Sequence, residues 1–91
     1  MSTVEFLVQP KNQLVQVGNS FSLKCKIESK NLGYSTVWLK NGRRIENENG
    51  GDFAIQSSEL SDTGVYSCLV IDLRGRSILV STPAKVEIIG E

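Results

Sequence analysis

The sequence contains no histidine, only two cysteines and one tryptophan. Histidine is the usual general base near neutral pH and the commonest metal ligand, so its absence argues against a hydrolytic site and a metal site. Two cysteines supply too few ligands for a zinc ion. No glycine-rich loop precedes a helical pattern, which argues against a phosphate-binding site. We therefore predict no enzymatic activity, no cofactor, no small-molecule substrate and no metal.

The sequence also lacks an excess of either charge and any long hydrophobic run. Ten basic residues balance ten acidic ones, so we expect no nucleic-acid partner. No apolar run approaches the roughly 18 residues of a membrane-spanning helix. No Asn-x-Ser/Thr site for an N-linked sugar occurs. We expect the 91 residues to form one soluble domain, 1–91, excised from a larger protein.

Short alternations of apolar and polar residues run through the chain, interrupted by Gly, Asn and Ser clusters. The clearest covers residues 20–28, where every second residue is apolar. One face of such a strand lies in a core and the other in water. Asn41-Gly42 tolerates positive φ at both central positions of a two-residue turn, which predicts a hairpin between residues 36–40 and 43–45. The pattern indicates an all-β fold.

The remaining segments predict further strands and turns. A second hairpin is expected between residues 65–72 and 77–88, with Gly75 in the turn. Pro83 cannot donate a hydrogen bond to a neighbouring strand, so it should mark a bulge or a sheet edge. The first strand should break at Pro10 into residues 4–8 and 14–17. We predict a polar loop at residues 46–52 and one short helical turn at residues 60–64.

Four residues stand out by type and position: Cys25, Trp38, Tyr66 and Cys68. Both cysteines occupy the apolar phase of their strands, and they form either a disulfide or two free thiols, which their number does not decide. Trp38 lies inside a strand, where its indole can pack in a core. The hydroxyl of Tyr66 can return to the backbone at the corner formed by residues 62–64. These positions indicate a core built around the two cysteines.

With these residues the chain resembles the immunoglobulin superfamily over about residues 6–88. The resemblance rests on Gly18-Asn-Ser-Phe-Ser-Leu-Lys-Cys25, Val37-Trp38-Leu-Lys-Asn-Gly42, Asp62-Thr-Gly-Val-Tyr66-Ser-Cys68 and Ala84-Lys-Val-Glu-Ile88. It implies an immunoglobulin-like two-sheet Greek-key sandwich used for recognition. The short stretch between Trp38 and Cys68 leaves no room for the extra strands of a variable-type domain. The split first strand favours the I-set over the C2-set subclass.

The resemblance implies structural roles, and no binding role, for six residues. In this family a core tryptophan packs on an inter-sheet disulfide, and a tyrosine before the second cysteine closes a corner. An aspartate caps that corner and a glycine permits its turn. The structural core residues expected on this basis are Cys25, Trp38, Asp62, Gly64, Tyr66 and Cys68. If oxidised, the bridge would stabilise the fold by about 4 kcal/mol on the loop-entropy model.

Alternation places the neighbours of the core residues on the opposite face of the same sheet. Antiparallel sheets usually present polar residues to solvent, whereas these neighbours are aliphatic. We predict that this face, the C-F-G sheet face in the strand lettering of the family, binds a protein partner. Lys40, Arg43 and Arg44 would form a basic rim beside it, and Arg74 and Arg76 would add contacts from the turn of the second hairpin. The other explanation is that a neighbouring domain, or Ile78 and Val80 of the last run, covers the face. The predicted partner-binding residues are Val37, Leu39, Leu69, Ile71, Arg43, Arg74 and Arg76.

Two classes of function remain open from the sequence. The first is a non-catalytic protein–protein recognition module of a cell-surface or secreted receptor or adhesion protein. The second is an intracellular module with reduced cysteines. It would belong to a muscle or cytoskeletal scaffold, or regulate a signalling protein such as a paracaspase. The first implies an extracellular location and the second a cytoplasmic one. In both, the expected partner is another protein, a second copy or a neighbouring domain.

Overall fold

The computed structural model of the protein describes residues 4–29 and 33–90. In these residues the regular structure is all strand, apart from a short 3-10 helix at Leu60–Asp62. The strands are β1 (Val4–Val8), β2 (Gln13–Gln16), β3 (Phe21–Lys24), β4 (Lys26–Ser29), β5 (Ser35–Lys40), β6 (Arg43–Asn49), β7 (Asp52–Ile55), β8 (Gly64–Ile71), β9 (Ser77–Val80) and β10 (Ala84–Ile89).

The strands form two layers. The front layer is a sheet in the order β2-β10-β8-β5-β6, with β9 also paired to β8. The back layer consists of two antiparallel pairs, β1 with β4 and β3 with β7. Only Cys25 separates β3 from β4, so the two pairs are consecutive parts of one layer. The all-β sandwich predicted from the sequence is confirmed.

The predicted hairpins and helical turn are present. β5 and β6 are joined by Asn41 and Gly42, with φ angles of 53° and 83°. β8 and β9 are joined by a turn in which Gly75 has a φ of 80°. The 3-10 helix occupies the predicted helical turn. These elements follow from local turn chemistry, which the sequence displays directly.

The loop predicted at residues 46–52 is wrong. β6 continues to Asn49, and β7 begins at Asp52. A strand at the edge of a sheet is held by backbone hydrogen bonds to one neighbour and does not need apolar side chains. The polar composition of this segment therefore conceals an edge strand.

Gly50 and Gly51 carry the chain from the front layer to the back layer. The Gly50 N–H donates to the carbonyl oxygen of Thr36 in β5, at 3.0 Å. The carbonyl oxygen of Gly51 accepts from the Cys25 N–H, at 2.7 Å. A Cβ at position 51 would collide with the backbone oxygen of Cys25. Only glycine therefore allows this close crossing.

The first strand breaks at Pro10, as predicted. β1 pairs antiparallel with β4 in the back layer, while β2 pairs parallel with β10 in the front layer. The predicted last run also divides, because β9 ends before Pro83 and β10 begins after it. Gln9 and Asn12 each accept a backbone N–H on either side of Pro83, from Thr82 and Lys85, both at 2.7 Å. Side chains at the first break therefore satisfy backbone N–H groups at the second.

The core lies between the layers around a disulfide that joins Cys25 and Cys68. The indole nitrogen of Trp38 donates to the carbonyl oxygen of Gly50, at 3.1 Å. The ring of Phe53 packs against those of Tyr66 and Trp38, with centroid distances of 5.5 Å and 6.0 Å respectively. The buried core residues are Val15, Phe21, Leu23, Cys25, Trp38, Phe53, Tyr66, Cys68, Ala84, Val86 and Ile88.

A corner precedes β8, and it contains the other residues expected to be structural. The Tyr66 hydroxyl donates to the carbonyl oxygen of Asp62, at 2.6 Å. The Asp62 carboxylate in turn accepts the Glu59 N–H, at 2.8 Å, at the start of the 3-10 helix. A Cβ on Gly64 would lie 3.0 Å from the side chain of Lys40. The corner therefore ties the 3-10 helix to the front layer.

Candidate interaction face

The outer side of the front layer carries a row of aliphatic side chains on adjacent strands. Trp38 pairs with Cys68, and both point into the core, so the residues between core positions point outward. Val37 pairs with Leu69, and Leu69 pairs in turn with Val80 of β9. Ile78, two residues before Val80, is exposed at the irregularity in the pairing of β8 with β9. We call this set the apolar face: Val37, Leu39, Leu69, Ile71, Ile78 and Val80.

Exposure differs across the apolar face. Val37 is only 2% exposed, because it lies in the middle of β5 with β6 and β8 on either side. The expectation that all four predicted aliphatics meet solvent is therefore wrong for Val37. Leu39, Leu69 and Ile71 are half-buried. The accessible part of the face comes from these three and from β9.

β9 extends the apolar face and does not cover it. Val80 is 55% exposed and Ile78 is 40% exposed, and Val80 lies beside Leu69 in the same layer. From the sequence, these two residues were considered only as side chains that cover the face, and not as members of it. Their alternation with Leu79, which is paired with Val70, was the signal that could have found them.

The basic rim is smaller than the sequence suggested. Arg44 pairs with Leu39 and is exposed on the same side as the apolar face, and Arg43 is exposed beside the turn. Lys40 was expected in this rim. Its ammonium group instead donates to the carbonyl oxygen of Ser61 and lies 5.8 Å from the centroid of the Tyr66 ring. Lys40 therefore stabilises the corner.

Asp72 organises the turn between β8 and β9. Its carboxylate accepts the backbone N–H groups of Arg74 and Arg76 and the Nε–H of Arg76, each at 2.9 Å. These hydrogen bonds, above all the one from the Arg76 N–H, hold the pKa of Asp72 below its usual value. Two backbone bonds, Asp72 N–H to Arg76 and Gly75 N–H to Asp72, complete the turn. Leu73 is 88% exposed at its tip.

The structure brings together some of the predicted partner-binding residues and separates others. The four predicted aliphatics share the apolar face. Arg43 is at the β5–β6 turn, whereas Arg74 and Arg76 are in the β8–β9 turn. Since β5 and β8 run antiparallel with Lys40 opposite Tyr66 and Ser35 opposite Ile71, these turns lie at opposite ends of the sheet. Arg43 pairs with Lys40, which has the inward phase of Trp38, whereas Arg44 pairs with Leu39. The face is therefore apolar in the middle, with Arg44 at one end and the β8–β9 turn at the other.

Within residues 4–29 and 33–90, no group of three or more Cys, Asp or Glu side chains is placed to hold a metal ion. Over the same described stretch, no helix has the length and apolar character to cross a membrane.

Comparison with protein families and curated proteins gives consistent matches. A family model described as an immunoglobulin domain matches residues 5–71. The chain is 30% identical over 89 residues to a basement membrane proteoglycan of Caenorhabditis elegans. It is 29% identical over 73 residues to cell adhesion molecule 4 of Xenopus laevis. The alignments cover 96% and 77% of this chain but 3% and 19% of those proteins, so the chain spans a small part of these relatives.

Comparison with solved structures agrees with the fold. The immunoglobulin domains 1-5 of Sidekick-1 match with a TM-score of 0.78 and 27% identity, over 99% of this chain and 20% of that one. A chain from a crystal structure of titin in complex with obscurin-like 1 matches with a TM-score of 0.80 and 20% identity. That match covers 100% of this chain and 98% of the other. At 20% identity, the match to the titin complex is evidence for the fold alone.

Proposed function

Because this chain belongs to the immunoglobulin domain family, we propose that it is a non-catalytic recognition module that binds a protein partner through the apolar face. The module would belong to a cell-surface or secreted adhesion or receptor protein. Arg43, Arg74 and Arg76 would contribute contacts at the two ends of the face.

The apolar face is the observation that carries this proposal. The outer side of an antiparallel sheet is usually polar, since alternation sends every second residue into water. Here three adjacent strands present aliphatic side chains on that side, from Leu39 through Leu69 to Val80. A contiguous apolar surface bordered by charge is typical of a protein–protein contact. Charged residues at its ends, such as Arg44 opposite Leu39, would orient the partner.

The disulfide and the relatives support an extracellular location. Disulfides persist in secreted and cell-surface proteins and are rare in the cytosol. Cys25 and Cys68 are bridged, and the relatives include a basement membrane proteoglycan and a cell adhesion molecule. The intracellular alternative predicts free thiols in the source cell. Acid quenching of the source cells, alkylation of the denatured protein and mass spectrometry separate the two, because only reduced cysteines take up the label once both buried side chains are accessible.

Charge substitutions on the apolar face test the proposal. Leu39→Asp and Leu69→Asp place a carboxylate among half-buried aliphatics and should abolish association, because burying an unpaired charge is strongly unfavourable. Sedimentation velocity measures self-association, and binding of a fluorescent tetramer of the chain to cultured cells measures contact with another protein. Ala54→Asp, an exposed position in the back layer, is the matched control. Variants that stay folded and leave both measurements unchanged would refute the proposal.

A further inference from the structure

The two arginines of the β8–β9 turn have different surroundings. The guanidinium of Arg76 is bonded to Asp72, so its charge is already compensated. The side chain of Arg74 makes no hydrogen bond or ion pair with any residue that the structure describes. Arg74 is therefore available to an outside carboxylate, whereas Arg76 is occupied in holding the turn.

Leu73 is the most exposed large hydrophobic residue in the described part of the chain. Turn positions usually carry polar residues or glycine, and a leucine at this tip contributes nothing to the core. A single exposed leucine is common on protein surfaces. This one stands next to an unpaired arginine, on a turn with a fixed conformation. It lies two residues after Ile71, which is the last residue of β8 and belongs to the apolar face.

The fixed conformation matters for binding. Ordering a flexible loop opposes association, so a turn already held by Asp72 loses less entropy when a partner binds. The planar guanidinium of an arginine pairs with both oxygens of a carboxylate. An apolar side chain beside such a group fits a pocket whose rim carries an acidic residue.

We propose that Leu73 and Arg74 determine partner specificity: Leu73 enters an apolar pocket of a partner protein, and Arg74 pairs with a carboxylate at the rim of that pocket. This inference rests on the proposed function, because it defines the partner chemistry at one end of the apolar face. Asp72 and Arg76 are positioning residues that hold the turn. A second copy of this chain fits less well, because both ends of the face carry arginines that would repel each other.

A displayed library of random peptides closed into rings by a disulfide tests this chemistry without a known partner, because a closed peptide can form an apolar cleft around a leucine side chain. The library is selected on the immobilised wild-type chain, and enriched peptides are synthesised and measured by calorimetry. We expect peptides in which Asp or Glu lies next to large apolar residues. Leu73→Ser should weaken their binding about tenfold or more, as for the loss of one leucine-sized anchor. Arg74→Glu should weaken it further, while Arg74→Lys should retain part of the affinity.

Two matched variants separate specific contacts from general effects. Lys11→Glu makes the same charge change as a basic-to-acidic substitution in the turn, but at an exposed site between β1 and β2, and should leave binding unchanged. Asp72→Asn removes the charge that holds Arg76. It should weaken binding of the enriched peptides with a more unfavourable entropy, while circular dichroism shows that the variant is still fully folded at the assay temperature.

Each alternative outcome has a definite meaning. Enriched peptides without acidic residues, or a selection that yields no peptide dependent on Leu73, would overturn the inference. Peptides that lose binding to Leu69→Asp but not to Leu73→Ser would overturn it and leave the proposed function standing. Wild-type binding to phosphatidylserine vesicles that Leu73→Ser abolishes, without acidic peptides, would assign the turn to a lipid surface and also overturn it.

Discussion

The hydroxyl of Tyr66 links β8 to the corner that precedes it, through its hydrogen bond to Asp62. Tyr66→Phe leaves that carbonyl oxygen without this donor and should lower the free energy of unfolding by about 1–2 kcal/mol. Urea denaturation measures the change. Tyr34→Phe is the matched control, because the Tyr34 hydroxyl has no partner among the residues described. Equal losses in the two variants would contradict a specific role for the corner bond.

Tyr66 also makes stability depend on alkaline pH. Burial, together with the nearby negative charge of Asp62, raises its pKa from 10.0 to about 12. The folded protein holds the phenolic proton more tightly than the unfolded chain does. The resulting stabilisation is complete below pH 10 and is lost as the pH rises towards 12. Urea denaturation across this range should show a fall in unfolding free energy that is smaller in Tyr66→Phe. An equal fall in both proteins would exclude Tyr66 as its source.

Single residues also show what the sequence could and could not predict. The alternation of apolar and polar residues was sufficient to place Trp38 and Tyr66 in the core, because successive residues of a strand point to opposite faces of the sheet. It was not sufficient for Val37, whose burial depends on the strands that flank β5 on both sides. Lys40 was misassigned for a related reason, since its partner Ser61 lies in a distant part of the chain.

Among the elements, the crossing between β6 and β7 depends most on one residue type. Gly51→Ala introduces a Cβ against the backbone oxygen of Cys25, which cannot move without disturbing β3 and β4. We expect a loss of about 1–3 kcal/mol in unfolding free energy, measured by urea denaturation. Gly90→Ala is the control, because its Cβ would make only an ordinary contact, 3.4 Å from Leu60. A Gly51→Ala protein as stable as Gly90→Ala would contradict the close crossing.

The elements that the sequence predicted correctly are those with a local signal. Asn41-Gly42 and Gly75 marked turns and Pro10 marked a break, because each residue restricts or extends the backbone angles. Pro83, expected as a bulge or a sheet edge within one run, instead separates β9 from β10. The far half of β6 has no such signal. Its backbone pairs with β5 although its side chains are polar, and only the tertiary structure reveals that pairing.

For the whole molecule, the disulfide is a stabilising link that can be removed without changing the sequence. It closes a loop between residues separated by 43 positions and joins the two layers. Reduction should lower the free energy of unfolding by about 4 kcal/mol, a large share for a small domain. Urea denaturation with and without a reductant measures the loss. The reductant should not change the unfolding free energy of a Cys25→Ala/Cys68→Ala variant, which has no disulfide. A wild-type protein whose unfolding free energy is equally unchanged by the reductant would contradict the prediction.

The sequence predicted the architecture of the whole molecule better than its interaction surface. The sandwich follows from residue phase and turn chemistry, and the immunoglobulin family match agrees with it. The apolar face was found by the same alternation, but its contribution from β9 and the separate surroundings of Arg74 and Arg76 were not. Those features depend on the pairing of β9 with β8 and on the hydrogen bond from the Arg76 side chain to the Asp72 carboxylate.

The parallel pairing of β2 with β10 also determines how the molecule would carry tension. These strands lie near opposite ends of the described chain, and four residue pairs join them. A pull on both ends would drive the strands past each other along their length. The hydrogen bonds between them would then share the load as a group, in shear, instead of opening one after another. If they gave way, the bridge from Cys25 to Cys68 would still prevent the intervening residues from extending.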